Sequence, residues 1–144
     1  MKIKYPTNVF YTGILITCAA TAANLMIFGI AHLLGEKFII PISENSSVKE
    51  PMPVILFVIA TIFPSVLAVI FFALLEKFSA KSVMPPFLSV SITALIVSLG
   101  GPFSIPETGL QTKLILVSMH FVAFIIIVGG LVGFHRNKFP NFNF

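Results

Sequence analysis

Charge is what this sequence has least of. Only 10% of its 144 residues are Asp, Glu, Lys or Arg, against roughly 25% in a soluble domain. A chain that is 57% hydrophobic, with a mean hydropathy of +1.04, cannot cover itself with polar groups, so lipid must be the solvent for most of it. The single cysteine, Cys18, excludes an internal disulfide and leaves the redox compartment unreadable. Tryptophan is absent, so anchoring at a membrane interface falls to Tyr5, Tyr11 and the phenylalanines of the tail. No phosphate-binding loop, dinucleotide glycine pattern or Cys-x-x-Cys pair occurs, and no nucleophile–base–acid set is present. The net charge is +4, yet no basic stripe interleaved with aromatics is found, which excludes a nucleic-acid partner.

Four apolar runs are there instead. They are Val9 to Leu34, Pro53 to Leu75, Pro85 to Gly101 and Leu110 to Phe134. At about 1.5 Å per residue each can cross, or nearly cross, a hydrocarbon core about 30 Å thick. The first run follows Lys2 and Lys4 and contains small residues at Ala20 to Ala23, as a signal peptide would. It continues through Leu25-Met26-Ile27-Phe28 past any such cut, so a retained helix is expected. A lipoprotein reading of Leu15-Ile16-Thr17-Cys18 fails for the same reason. Gly35 to Met52 is the longest polar stretch and reads as a solvent loop. Its Asn45-Ser46-Ser47 matches a glycosylation sequon that matters only in a eukaryotic secretory protein. Pro64 falls inside the second run and should kink the helix or free a carbonyl.

The length suits one domain, so residues 1–144 are read as a single transmembrane unit. Short connections make successive helices antiparallel neighbours, and the expected fold is an all-α, up-down four-helix bundle. With four spans, Lys2, Lys4, Lys77, Lys81, Arg136 and Lys138 lie on one side and Lys37, Lys49 and Lys113 on the other. Six against three places both termini in the cytoplasm.

Inside lipid, small and polar residues should face the bundle interior. Gly13, Thr17, Thr21, Asn24 and Ala31 recur at helical spacing in the first run; Thr61, Ser65 and Ala68 in the second; Ser91, Ala94, Ser98 and Gly101 in the third; Leu116, His120, Ala123, Ile127 and Gly130 in the fourth. Counted from the cytoplasmic ends, Asn24 comes at roughly 22 Å and Thr61, Ser98 and His120 at roughly 21 Å. Each helix thus brings one hydrogen-bonding residue to nearly the same depth. An unpaired polar group in hydrocarbon costs about 2–7 kcal/mol, so these four should find partners. Two readings stand side by side. Asn24, Thr61, Ser98 and His120 line a site for a small ligand or a proton, with His120 as the titratable member, or they only hydrogen-bond across helices and fix their register.

Other candidates carry less. His32 sits where it can reach headgroups. A metal would need His32, His120 and a carboxylate or thiolate together, but Cys18 and Glu36 lie at other depths, so neither metal nor cofactor is expected. Cys18 reads as a small core residue. Glu36, Glu76 and Glu107 stand at segment ends, where a carboxylate is solvated by default. Gly129 and Gly133 form a small-xxx-small pair that permits close approach of a helix, within the bundle or in a homodimer.

Thr21-Ala22-Ala23-Asn24-Leu25-Met26-Ile27-Phe28-Gly29-Ile30-Ala31, the mid-helix Pro64, and Leu116-Val117-Ser118-Met119-His120-Phe121-Val122 together resemble a bacterial family of small four-helix membrane proteins whose function is unknown. In that family an Ala-Ala-Asn run opens the protein and a Met-His pair sits in the last helix. The long first loop with Pro41 and Glu44, and the Phe-Asn tail, depart from the family pattern. The resemblance implies a four-helix integral membrane protein, a bacterial cytoplasmic (inner) membrane as its place, and Asn24 and His120 as positions of interest. It implies no activity. From the residues, the first functional expectation is a non-enzymatic protein binding a small lipophilic ligand or a partner helix through its polar layer. The second is a membrane-embedded enzyme or proton-coupled carrier with His120 as acid and base.

Overall fold

The computed structural model describes residues 8–41, 49–78 and 82–139. The sequon, the amino-terminal lysines with Tyr5, and the last tail phenylalanines lie outside them. Helix α1 is Val9–Leu33, α2 Val54–Phe78, α3 Met84–Ser104 and α4 Leu110–Lys138. All four are long and apolar enough to cross a membrane, as the hydropathy pattern predicts, and the protein is an integral membrane protein.

Local chemistry sets several ends. Asn8 caps α1, its Oδ1 accepting from the Phe10 N–H at 2.9 Å, which satisfies one of the donors every helix start leaves open. Prolines at the first positions of α3 remove donors that would have no partner there. Pro64 lies inside α2. Next to it, Ser65 Oγ donates to the Thr61 carbonyl at 2.6 Å, a bond to its own helix that leaves this buried hydroxyl satisfied.

Three helices run past their expected ends. α2 reaches Phe78, α3 passes through Pro102 to Ser104, and α4 continues through His135 and Arg136 to Lys138. Charged residues near a membrane interface do not stop a helix, because its backbone bonds are internal whatever the solvent. Lys138 in the last turn also suits the negative end of the helix dipole.

The connection between α1 and α2 is not a plain solvent loop. Strands β1 (Ile39–Pro41) and β2 (Lys49–Pro51) pair antiparallel, with Ile40 opposite Glu50. Ahead of β1, Phe38 turns inward and is 1% exposed.

Partners along the helices give the packing. Gly13 meets Val69, Asn24 bonds Thr61 and the Phe28 ring lies against that of Phe57, so numbers rise on α1 as they fall on α2. Ile16 lies against Gly130, and Glu36 just beyond α1 bonds Thr112, the same opposition against α4. Phe72 meets Phe134, and Glu76 bonds Lys138. Helix α4 touches all three others, whereas α1 and α3 share no close contact among the described residues. The interior divides in two. One cluster holds Ile16, Ala20, Val69, Phe72, Phe87, Leu131 and Phe134. The other, at the hairpin end, holds Ala31, Phe38, Phe57, Leu116 and Met119.

The third helix departs from its expected role. Of its residues only Met84, Phe87 and Pro102 are buried; Ala94 and Gly101 are exposed, and Ser91 and Ser98 half-buried. Its small and polar residues therefore do not form an interior face. Cys18 is exposed on α1 rather than part of the core, because the buried stripe of α1 runs through Gly13, Ile16, Ala20, Asn24 and Ala31.

Candidate functional site

The site begins with two residues buried between the clusters. Asn24 is 6% exposed and Thr61 3%. Thr61 spends its one hydroxyl hydrogen on the Phe57 carbonyl, at 2.8 Å. It can then only accept, and it does so from Asn24 Nδ2 at 2.9 Å. That exchange fixes the orientation of the amide. Asn24 Oδ1 is left buried with no hydrogen-bond partner. Thr12 Oγ1 shares that condition, but on a residue only half-buried. Nearly all buried polar groups are satisfied in folded proteins, so an open carbonyl oxygen on a residue this deep calls for an explanation.

The surroundings of the pair are aromatic and apolar. Phe28 is one helical turn beyond Asn24, and Phe57 one turn beyond Thr61. Their rings lie 4.7 Å apart, and Phe38 closes the trio at 4.9 Å from Phe28 and 5.3 Å from Phe57. A charge brought to an acceptor buried in such surroundings would cost far more than a neutral donor.

The four-residue layer is only partly assembled. Asn24 and Thr61 come together. Ser98 Oγ instead donates to the Leu95 carbonyl of its own helix at 2.7 Å, and α3 makes no close contact with α1. His120 is half-buried, and its Nδ1 lies 2.7 Å from the Leu116 carbonyl. A carbonyl cannot donate, so Nδ1 carries the hydrogen and a neutral ring offers Nε2 as an acceptor. Any acid or base work by His120 would run through Nε2. Among the described residues, no group of three His, Cys, Asp or Glu could hold a metal ion.

Two polar clusters escape a reading by depth alone. Glu36 Oε1 accepts from the Phe38 N–H at 3.0 Å and from Thr112 Oγ1 at 2.8 Å, while His32 Nδ1 lies 3.2 Å from the Glu36 carbonyl. At the other end Glu76, with a side chain 11% exposed, faces His135 Nδ1 at 3.3 Å and Lys138 Nζ at 2.9 Å. Neither carboxylate is simply solvated, as a position at a segment end would have it. Glu76 stands in the last turn of α2, the wrong end for a negative charge, and the two groups from α4 offset that. The i, i+3 spacing of His135 and Lys138 is the sequence signal for a shared face. It becomes readable only once α4 is known to continue past Phe134.

No curated protein and no solved structure matches the chain. A family model does, over residues 5–137, nearly the whole length. Four apolar helices, Asn24 inside the first and His120 inside the last agree with the family resemblance seen in the sequence. The chain belongs to the family of unknown function DUF6069.

Proposed function

We propose that the protein binds a small, uncharged lipophilic molecule carrying a hydrogen-bond donor, and that Asn24 Oδ1 receives that donor. The observation that carries this reading is the open oxygen itself: a buried amide whose nitrogen is committed to Thr61 and whose oxygen has no partner. An acceptor selects a hydroxyl, N–H or amide donor. The aromatic trio favours an apolar body behind it. His120, which takes its Nδ1 hydrogen to Leu116, adds an acceptor on α4 and not a second donor. The chain is an up-down bundle with both termini in the cytoplasm, supported by the opposed residue numbering of α1 against α2 and by the six-to-three division of basic residues. This places the hairpin outside. A bacterial inner membrane is the setting that the resemblance favours.

The test uses the full chain in lipid nanodiscs and a diazirine-bearing octanol as a photoreactive donor. Adducts should appear on α1 and α2 around Asn24 and Thr61, fall with excess octanol, and disappear in Asn24→Leu while its melting temperature is kept. Adducts confined to lipid-facing residues and unchanged in Asn24→Leu would overturn the reading.

A second copy is the other partner we propose. Among the described residues, and apart from the adjoining backbone of α4 itself, nothing lies within 4 Å of where a Cβ would stand on Gly129 or Gly133, which leaves room for a helix from a neighbour.

A further inference from the structure

The stretch that follows α1, from Leu34 to Phe38, is built as a closure. Phe38 belongs to a connection, yet only 1% of it is exposed, and its ring packs on Phe28 and Phe57, one turn beyond Asn24 and Thr61. Its backbone has φ +49, the left-handed region that a bulky L residue occupies only when its surroundings hold it there. Gly35, at φ +95, makes the bend that brings it round.

What holds Phe38 is identifiable. One oxygen of Glu36 accepts from the Phe38 N–H and from the Thr112 hydroxyl of α4, so a single carboxylate pins the turn to the bundle. On the other side the Met52 N–H donates to the Phe38 carbonyl at 2.9 Å, tying Phe38 to the returning strand. A buried apolar cap needs neither a left-handed backbone nor a charged fastener. Glu36 is only half-buried, so water can compete for its bonds. Phe38 sits inside while its neighbours Lys37 and Ile39 are exposed, and strand β1, which follows it directly, is the natural lever to lift it.

We infer that Phe38 is a retractable plug over the Asn24–Thr61 pair, latched by Glu36 to Thr112, and that its release opens the pair to the aqueous side instead of to lipid. This rests on the ligand reading, to which it adds the route of entry and the means of control. The left-handed backbone of Phe38 lowers the work of opening, because it relaxes on release. The Glu36 bonds and the aromatic contacts oppose it.

The test reads the reactivity of a thiol at the pair. Full-length protein carrying Cys18→Ser and Thr61→Cys is placed in lipid nanodiscs, with both faces in water, and exposed to a charged, membrane-impermeant methanethiosulfonate. With the latch intact, labelling should be slow. Adding Glu36→Ala or Thr112→Val should speed it by about tenfold or more, the scale of losing hydrogen bonds to a charged group. Phe38→Ala should do the same. A Val69→Cys thiol in the other cluster should stay slow in all these backgrounds. Fast labelling with the latch intact overturns the plug, as does an unchanged rate in all three variants. Equal acceleration at Val69→Cys overturns it too, because that is general loosening or failed folding. If the Thr61→Cys thiol opens on latch loss while the photoreactive octanol leaves no adduct, the plug stands and the ligand reading falls.

Discussion

Gly13 lies so close to Val69 that a Cβ built on it would stand 2.5 Å from Val69 Cγ1 and 2.7 Å from Cγ2. The two residues set the distance between α1 and α2, and both methyls of a branched side chain are in the way. Gly13→Ala must part the helices or force Val69 off its rotamer, at about 1–3 kcal/mol. We expect a lower unfolding midpoint in detergent. Adding Val69→Ala should recover part of the loss by making room, and the absence of any recovery would show that the contact is not limiting.

The glycines of α4 should separate into two kinds. A Cβ at Gly130 would meet Ile16 Cδ1 and Cγ1 at 2.7 Å, whereas nothing lies within 4 Å at Gly129 or Gly133. Gly130→Ala should therefore destabilise the monomer by about 1–3 kcal/mol. Gly129→Ala and Gly133→Ala should not, since alanine is the better helix former by about 1 kcal/mol. Gly129→Leu with Gly133→Leu tests the second copy. A shift to monomer by light scattering in detergent is expected, and an unchanged oligomer size removes that partner.

The Asn24–Thr61 bond should couple the two residues weakly. Interhelical hydrogen bonds in membranes average about 0.6 kcal/mol and reach about 1.7, and a double-mutant cycle with Asn24→Leu and Thr61→Val should fall in that range. The double variant should be as stable as the native protein or more so, because both partners and the orphaned Oδ1 go together. Marked destabilisation of the double variant would mean that the pair is structural glue and not a site kept open at the expense of stability.

Glu76 should matter more than either of its partners alone. Glu76→Leu leaves His135 buried without its acceptor, and the unfolding midpoint should fall. Lys138→Met removes a half-exposed partner and should cost no more than about 1 kcal/mol. Comparable losses in the two variants, measured by thermal unfolding in one detergent, would contradict the arrangement.

Most of the fold is legible in the order of the residues. Four apolar runs in a chain this poor in charge can satisfy their backbone groups in lipid only as helices, and their starts at Val9 and Leu110 fall where the runs begin. Asn24 and Thr61 are legible as polar residues of one depth that need partners, but that they partner each other is a finding of the structure. Ser98 and His120 share that depth but not that partner, because depth says nothing about which way a helix is turned. Alternatives close at hand decide both: a hydroxyl or imidazole three or four residues from a carbonyl can bond to its own helix.

Composition and periodicity alone determined that this is a four-helix membrane protein, because the solvent penalty for exposed backbone and apolar surface acts on every residue alike. Which faces meet was left to tertiary structure. α3 kept its small residues out of the interior, α2 and α4 each came to touch all three other helices, and Phe38 was folded from a polar connection into the bundle's end. Those outcomes depend on side chains far apart in sequence, such as Glu36 with Thr112 and Glu76 with Lys138, and on steric fits such as Gly13 with Val69. Such contacts exist only once the helices have chosen neighbours, so no local pattern encodes them.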